Sequence, residues 1–191
     1  MSEPGRPALA GAGARTLARD QIVALDQLEA RLAAYAEQIA AQAKHSESAK
    51  RLQTIAGVGP TTAAAFVATV GAPQEFRNGR QFAAWLGLTP KQHSTGGKTR
   101  LGRITKRGDA YLRTLLILGA KSALQAALRK PPERRHRLQQ WIVAVLARIG
   151  YHKTLVAIAN KHARIIWALL VKGKDFDVQH VSPKVLAVAA A

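Results

Sequence analysis

The chain has 191 residues, a formal charge of +18, no cysteine and 48% hydrophobic side chains. This length and apolar content suit one ordinary core with an appendage, while the lack of cysteine excludes disulfides and thiolate metal sites. The first 50 residues carry six basic and six acidic side chains, so the whole positive excess lies beyond them and points to a polyanionic partner.

Residues 1–15 are mostly Gly, Ala, Pro and Arg with little to bury, which predicts a disordered leader. The leader lacks a bulky apolar core, and the chain has no run of 18 apolar residues; neither a signal peptide nor a spanning helix is expected, and no membrane partner. The expected location is cytoplasmic and nucleoid-associated. Across residues 16–50, Leu25, Leu28, Leu32, Tyr35 and Ile39 recur at spacings of three and four. That pattern predicts a helix with a coiled-coil-like seam, which either packs on its own domain or self-associates through residues 16–44.

Leu52 to Gly71 reads as two helices around a tight turn. Gly57 and Gly59 permit the turn, and Pro60 suits the first position of the next helix. The arrangement resembles a helix-hairpin-helix, whose free N–H groups hold a DNA phosphate, although a plain helical turn has the same pattern. Phe76, Phe82, Trp85 and Leu86 are expected in the core. Asp109 is expected to cap a helix that is apolar almost all round, central in the domain and ended by Pro131-Pro132. Two further helices follow, from Glu133 to Ile149 and from Tyr151 to Leu170, and residues 173–191 read as a loose tail. No stretch shows sustained alternation of apolar and polar residues, so the fold class is all-α.

The most distinctive stretch runs from Pro90 to Arg113. Lys98, Arg100, Arg103, Lys106, Arg107 and Arg113 face a single acid, Asp109, and four glycines interrupt any helix, which predicts a basic Ser/Gly loop. Gly96 and Gly97 can take positive φ and gather backbone N–H groups into an anion-binding nest beside Ser94 and Thr95. A serine attacking a phosphodiester needs such surroundings, with fixed positive charge near the phosphate oxygens. A solvated basic turn would also use these residue types. The six histidines are scattered, and no metal site is expected in this chain.

L-G-L-T-P-K-Q-H-S-T-G-G-K-T-R-L-G-R-I-T-K-R-G-D-A-Y-L-R-T-L-L (residues 86–116), with I-A-G-V-G-P-T-T-A-A-A-F upstream and A-N-K-H-A-R-I-I-W-A-L-L downstream, resembles the C-terminal domain of the bridge-RNA-guided transposases of the one-ten family of insertion sequences. The resemblance covers roughly residues 51–172. It implies a transposase C-terminal serine domain that binds DNA and guide RNA and supplies Ser94 as the nucleophile for strand exchange, with Thr95 as the alternative register. Gly57, Gly59, Gly96, Gly97, Lys98, Arg100, Arg103, Lys106, Arg107 and Arg113 would contact nucleic acid. Complete members of the family carry an N-terminal RuvC-like domain whose carboxylates hold divalent metal. A chain of this length has no room for it, so metal and that domain are expected only in trans. The competing expectation is a truncated, non-catalytic nucleic-acid-binding remnant.

Overall fold

The computed structural model describes residues 7–177, with side chains from residue 13 onward. The start of the expected leader and most of the expected tail lie outside the described residues. Two units divide after Gln42. The first is the body of one long helix, α1 (Pro7–His45), which begins ahead of the Thr16 start that the heptad spacing gives. Leu25, Leu28, Leu32 and Tyr35 are all exposed along it.

The second unit begins at Ala43, which is buried. Ser46 takes extended φ/ψ and its hydroxyl accepts from the Ala49 N–H, stopping α1 and starting α2 (Glu47–Gln53). The turn after α2 leads to α3 (Pro60–Thr69), with Pro60 at its first position as expected. Asn78 caps α4 (Gly79–Trp85) by accepting from the Arg80 and Gln81 N–H groups. Asp109 Oδ1 accepts from the Leu112 N–H at 2.8 Å and opens α5 (Ala110–Arg129). The chain then turns at Pro131-Pro132, forms α6 (Arg137–Ile149), and ends its described helices with α7 (Tyr151–Lys172).

α5 and α7 pack on each other and gather the rest: α7 also meets α2, α4 and α6, and α5 meets α3 and α6. Phe66, Phe82, Leu112, Leu116, Leu124, Ile142, Ile158 and Ile166 are fully buried between them. By length and composition α7 could cross a bilayer, but Leu155, Ile158, Ile166 and Leu169 are the buried face of a packed helix. α5 differs from the expectation of burial all round. Its Leu112–Leu116–Ala120–Ala123–Ala127 face is inside, while Tyr111, Leu118 and Leu128 stand in solvent. Phe66, Phe76, Phe82 and Trp85 form one ring cluster, with Phe82 and Trp85 stacked at 5.6 Å. Phe82 and Leu86 are in the core as expected and Phe76 packs against it, whereas Trp85, at the last turn of α4, is 37% exposed and caps the cluster from the solvent side.

The described residues are mainly helical, as expected. The addition is an antiparallel hairpin, β1 (Pro90–Thr95) and β2 (Lys98–Ile104), in the segment read as a basic loop. Gly96 and Gly97 both take positive φ, 58° and 75°, which a two-residue type I′ turn requires. Their conformation is therefore accounted for by the turn itself.

Candidate nucleic-acid interface and hydroxyl site

The hairpin is exposed on both faces from Pro90 to Arg103. A two-stranded ribbon with no core of its own is marginal in water; this one is fastened at its root. Four consecutive carbonyls are each held. Leu86 O accepts from Arg113 Nη1 at 3.1 Å, Gly87 O from the Lys106 N–H at 3.1 Å, Leu88 O from Asn160 Nδ2 at 3.2 Å, and Thr89 O from the Thr105 N–H at 2.8 Å. The donors come from α5, the segment after β2, and α7, so the base of β1 is tied to the packed body.

The register sorts the side chains. Thr95 pairs with Lys98, Ser94 with Thr99, His93 with Arg100 and Gln92 with Leu101, and paired residues share a face. A bulge then sets Gly102 and Arg103 together opposite Lys91, with Gly102 lying against the Lys91 Cβ and carbonyl, before Pro90 pairs with Ile104. One face consequently carries Lys91, His93, Thr95, Lys98, Arg100 and Arg103. The other carries Gln92, Ser94, Thr99, Leu101 and Ile104. The hairpin is cationic on one side and neutral on the other.

This arrangement separates residues that the linear sequence sets side by side. Ser94 lies on the neutral face, where Gln92 Nε2 donates to its Oγ at 2.8 Å. Thr95 lies on the cationic face with Lys98 and Arg100. Lys106, at positive φ, uses its backbone in the root, and its side chain and that of Arg107 are exposed there. Arg113 is committed differently: its Nη1 donates to the carbonyls of Leu86, Gly108 and Asp109, so this guanidinium closes the joint between α4 and α5. Gly57 is in a tight turn at φ 88° and packs on Gly119 of α5, whereas Gly59, the N-cap of α3, has open space around it. Sequence reasoning missed Gln92 and Asn160, since neither carries charge: Gln92 acts on Ser94 two residues along its own strand, and Asn160 reaches Leu88 O across the fold.

Residues 49–139 match the model of the IS116/IS110/IS902 transposase family. This segment belongs to that transposase family. The match takes in α2, α3, α4, the hairpin and α5, which is the scaffold that holds the two-faced ribbon. Several curated relatives agree. A protein of Pseudomonas aeruginosa named "Probable family 20 transposase" is 49% identical over 146 residues, 76% of this chain and 42% of the relative. The transposase for insertion sequence element IS1111A of Coxiella burnetii is 43% identical over 74% of this chain and 38% of its own length. The transposase for IS1328 of Yersinia enterocolitica is 38% identical over 69% of this chain and 38% of the relative. The chain thus spans about two-fifths of the length of these relatives. Among the described residues no three His, Asp or Glu side chains converge to hold a metal ion.

Proposed function

We propose that the chain is the DNA-engaging, nucleophile-bearing part of a transposase. The observation that carries this reading is the exposed two-faced hairpin, fastened through four carbonyls to a helical body whose sequence is that of a transposase family. The cationic face, with Lys98, Arg100 and Arg103, lies along DNA phosphates, and Lys106 and Arg107 extend the contact at the root. Guide RNA is a second polyanionic partner of the same chemistry. Chains associate through residues 16–44, a RuvC-like domain acts in trans, and the protein works on the nucleoid in the cytoplasm.

In the chemical step Ser94 Oγ, already oriented by Gln92, attacks the scissile phosphorus. The Oγ–P bond forms, the bond from phosphorus to one strand's deoxyribose oxygen breaks, and that oxygen leaves with the serine proton. The phosphoserine diester retains the bond energy for rejoining to a new strand. A second reading, a non-catalytic nucleic-acid-binding remnant, draws on one specific observation: Ser94 and the cations occupy opposite faces, so charge building on a phosphate at Ser94 meets no hairpin cation on that side.

The test is a covalent adduct that survives denaturation, sought with a RuvC-like half from an intact relative in trans, its guide RNA and a junction substrate. Ser94→Ala should abolish the adduct and change DNA affinity by no more than about 0.5–1.5 kcal/mol, the worth of one neutral hydrogen bond. Loss of the adduct in Thr95→Ala instead would move the nucleophile to the cationic face. No adduct from the parent chain, under conditions where the intact relative forms one, would support the remnant.

A further inference from the structure

A second group of cations lies on the helical body, in and beyond α6. Lys161 of α7 sets its ammonium 4.4 Å from the centre of the Trp141 ring of α6. Arg137, the first residue of α6, and Arg164, one turn beyond Lys161, are both exposed and both act on that ammonium. Their charge, after the larger effect of burial, holds Lys161 below the ordinary lysine range. Among the described residues none of the three is ion-paired. Arg137 also sits on the positive end of the α6 dipole, where no acid occupies the first turn. Three cations and a helix N-terminus repel one another here, and an anion would relieve all of them at once.

Position says which anion. Asn160, next to Lys161, donates to Leu88 O at the root of the hairpin. One turn on, the backbone of Arg164 packs against Gly79, which begins α4 between the exposed Arg77 and Arg80. Lys161 and Arg164 are therefore within about one helical turn of Asn160, the residue that anchors the hairpin, and a polymer of phosphates leaving the hairpin root on that side would meet them. We propose that Arg137 and Arg164, with Lys161 seated on Trp141 between them, form a second phosphate platform that carries the backbone of duplex DNA onward from the hairpin root. The proposal rests on the nucleic-acid-binding reading above. Arg137 lies inside the segment matched by the family model, and Lys161 and Arg164 lie beyond it.

The experiment measures binding of the full chain to a random-sequence DNA duplex as a function of salt. The variants are Arg137→Gln/Arg164→Gln, which touches only exposed side chains, Lys161→Met, which keeps the stem over Trp141, and Arg100→Ala/Arg103→Ala on the hairpin. Each phosphate contact on duplex DNA adds about 0.9 to the magnitude of the log–log slope. The Arg137/Arg164 variant should flatten the slope by about two, Lys161→Met by about one, and combination with the hairpin variant should add a further two or so. If the hairpin variant flattens the slope and the platform variants keep it, the platform is overturned while DNA binding by the hairpin stands. If neither changes it, the nucleic-acid reading falls and takes the platform with it. Platform variants that weaken binding only to single-stranded RNA, or only to phosphatidylserine vesicles, would also overturn the proposal. Should Lys161→Met not fold, the exposed Arg137/Arg164 pair decides alone.

Discussion

Gly57, in the turn between α2 and α3, and Gly119, in the middle of α5, meet backbone to backbone: a Cβ on either would overlap the carbonyl oxygen of the other. The turn that resembles a phosphate-binding hairpin is thereby seated on the helix that follows the basic ribbon. By propensity alone Gly119→Ala should stabilise α5 by about 0.5–1 kcal/mol. The overlap reverses the sign, since forcing extra volume into a packed contact costs about 1–3 kcal/mol. Thermal unfolding should show a fall of about 2–4 °C per kcal/mol lost in a chain of this size. A midpoint equal to or above the parent's would mean that the two backbones are not in contact.

Arg113 separates a structural cation from a DNA-binding one. Its guanidinium bonds three carbonyls at the α4–α5 joint; Asp109 O keeps the Arg113 N–H, but Arg113→Met takes the guanidinium donor from Leu86 O and Gly108 O and should destabilise by about 1–3 kcal/mol. The salt slope of DNA binding, measured well below the unfolding temperature, should stay as in the parent. A flatter slope with unchanged stability would return Arg113 to the interface.

These two positions also show what could be read from the sequence. The caps and breaks were legible, because Asp109, Pro60 and Pro131-Pro132 act on their immediate neighbours. The hairpin was not legible as a strand pair, because a search for apolar residues alternating with polar ones finds nothing in a ribbon exposed on both faces. Its alternation is of charge: Lys98 and Arg100 on one face, Thr99 and Leu101 on the other, with Gly-Gly between the two runs as the turn signal. α5 misled for the opposite reason. Its apolar residues run all round, yet neighbours cover only one side of it, and composition cannot show which helices will pack there. The opposition of Ser94 to the cations followed from register, which adjacency in sequence hides.

His162 gives the fold a pH dependence. The imidazole is fully buried in α7 with no protein partner for either nitrogen. Burial, and secondly the neighbouring Lys161, push its pKa from 6.5 down to about 4. Between these values the unfolded chain binds a proton that the folded chain does not, so stability falls as pH drops through the window and this group adds no further loss below it. The total is about 3 kcal/mol at about 1.4 kcal/mol per pK unit. Denaturant melts between neutral pH and pH near 4.5 should show the loss in the parent and much less of it in His162→Leu, which matches the ring in size. An acid loss equal to the parent's in the leucine variant would assign it to groups other than His162.

Among the described residues, α1 carries an unpartnered apolar seam. In a single chain Leu28 is 51% exposed and Leu32 67%, with Leu25 and Tyr35 similarly open on the same seam. A stripe of large apolar side chains at heptad spacing is the surface that a second copy of the same helix would cover. Leu28→Asp with Leu32→Asp would place charge in that contact, and forfeiting two buried leucines at about 1.5–3 kcal/mol each weakens association by roughly a hundredfold or more. Equilibrium sedimentation should report a smaller particle for the double variant, with far-ultraviolet helicity largely kept because the substitutions are on the helix surface. If the parent chain already sediments as a monomer at micromolar concentration, the seam does not join copies of this chain.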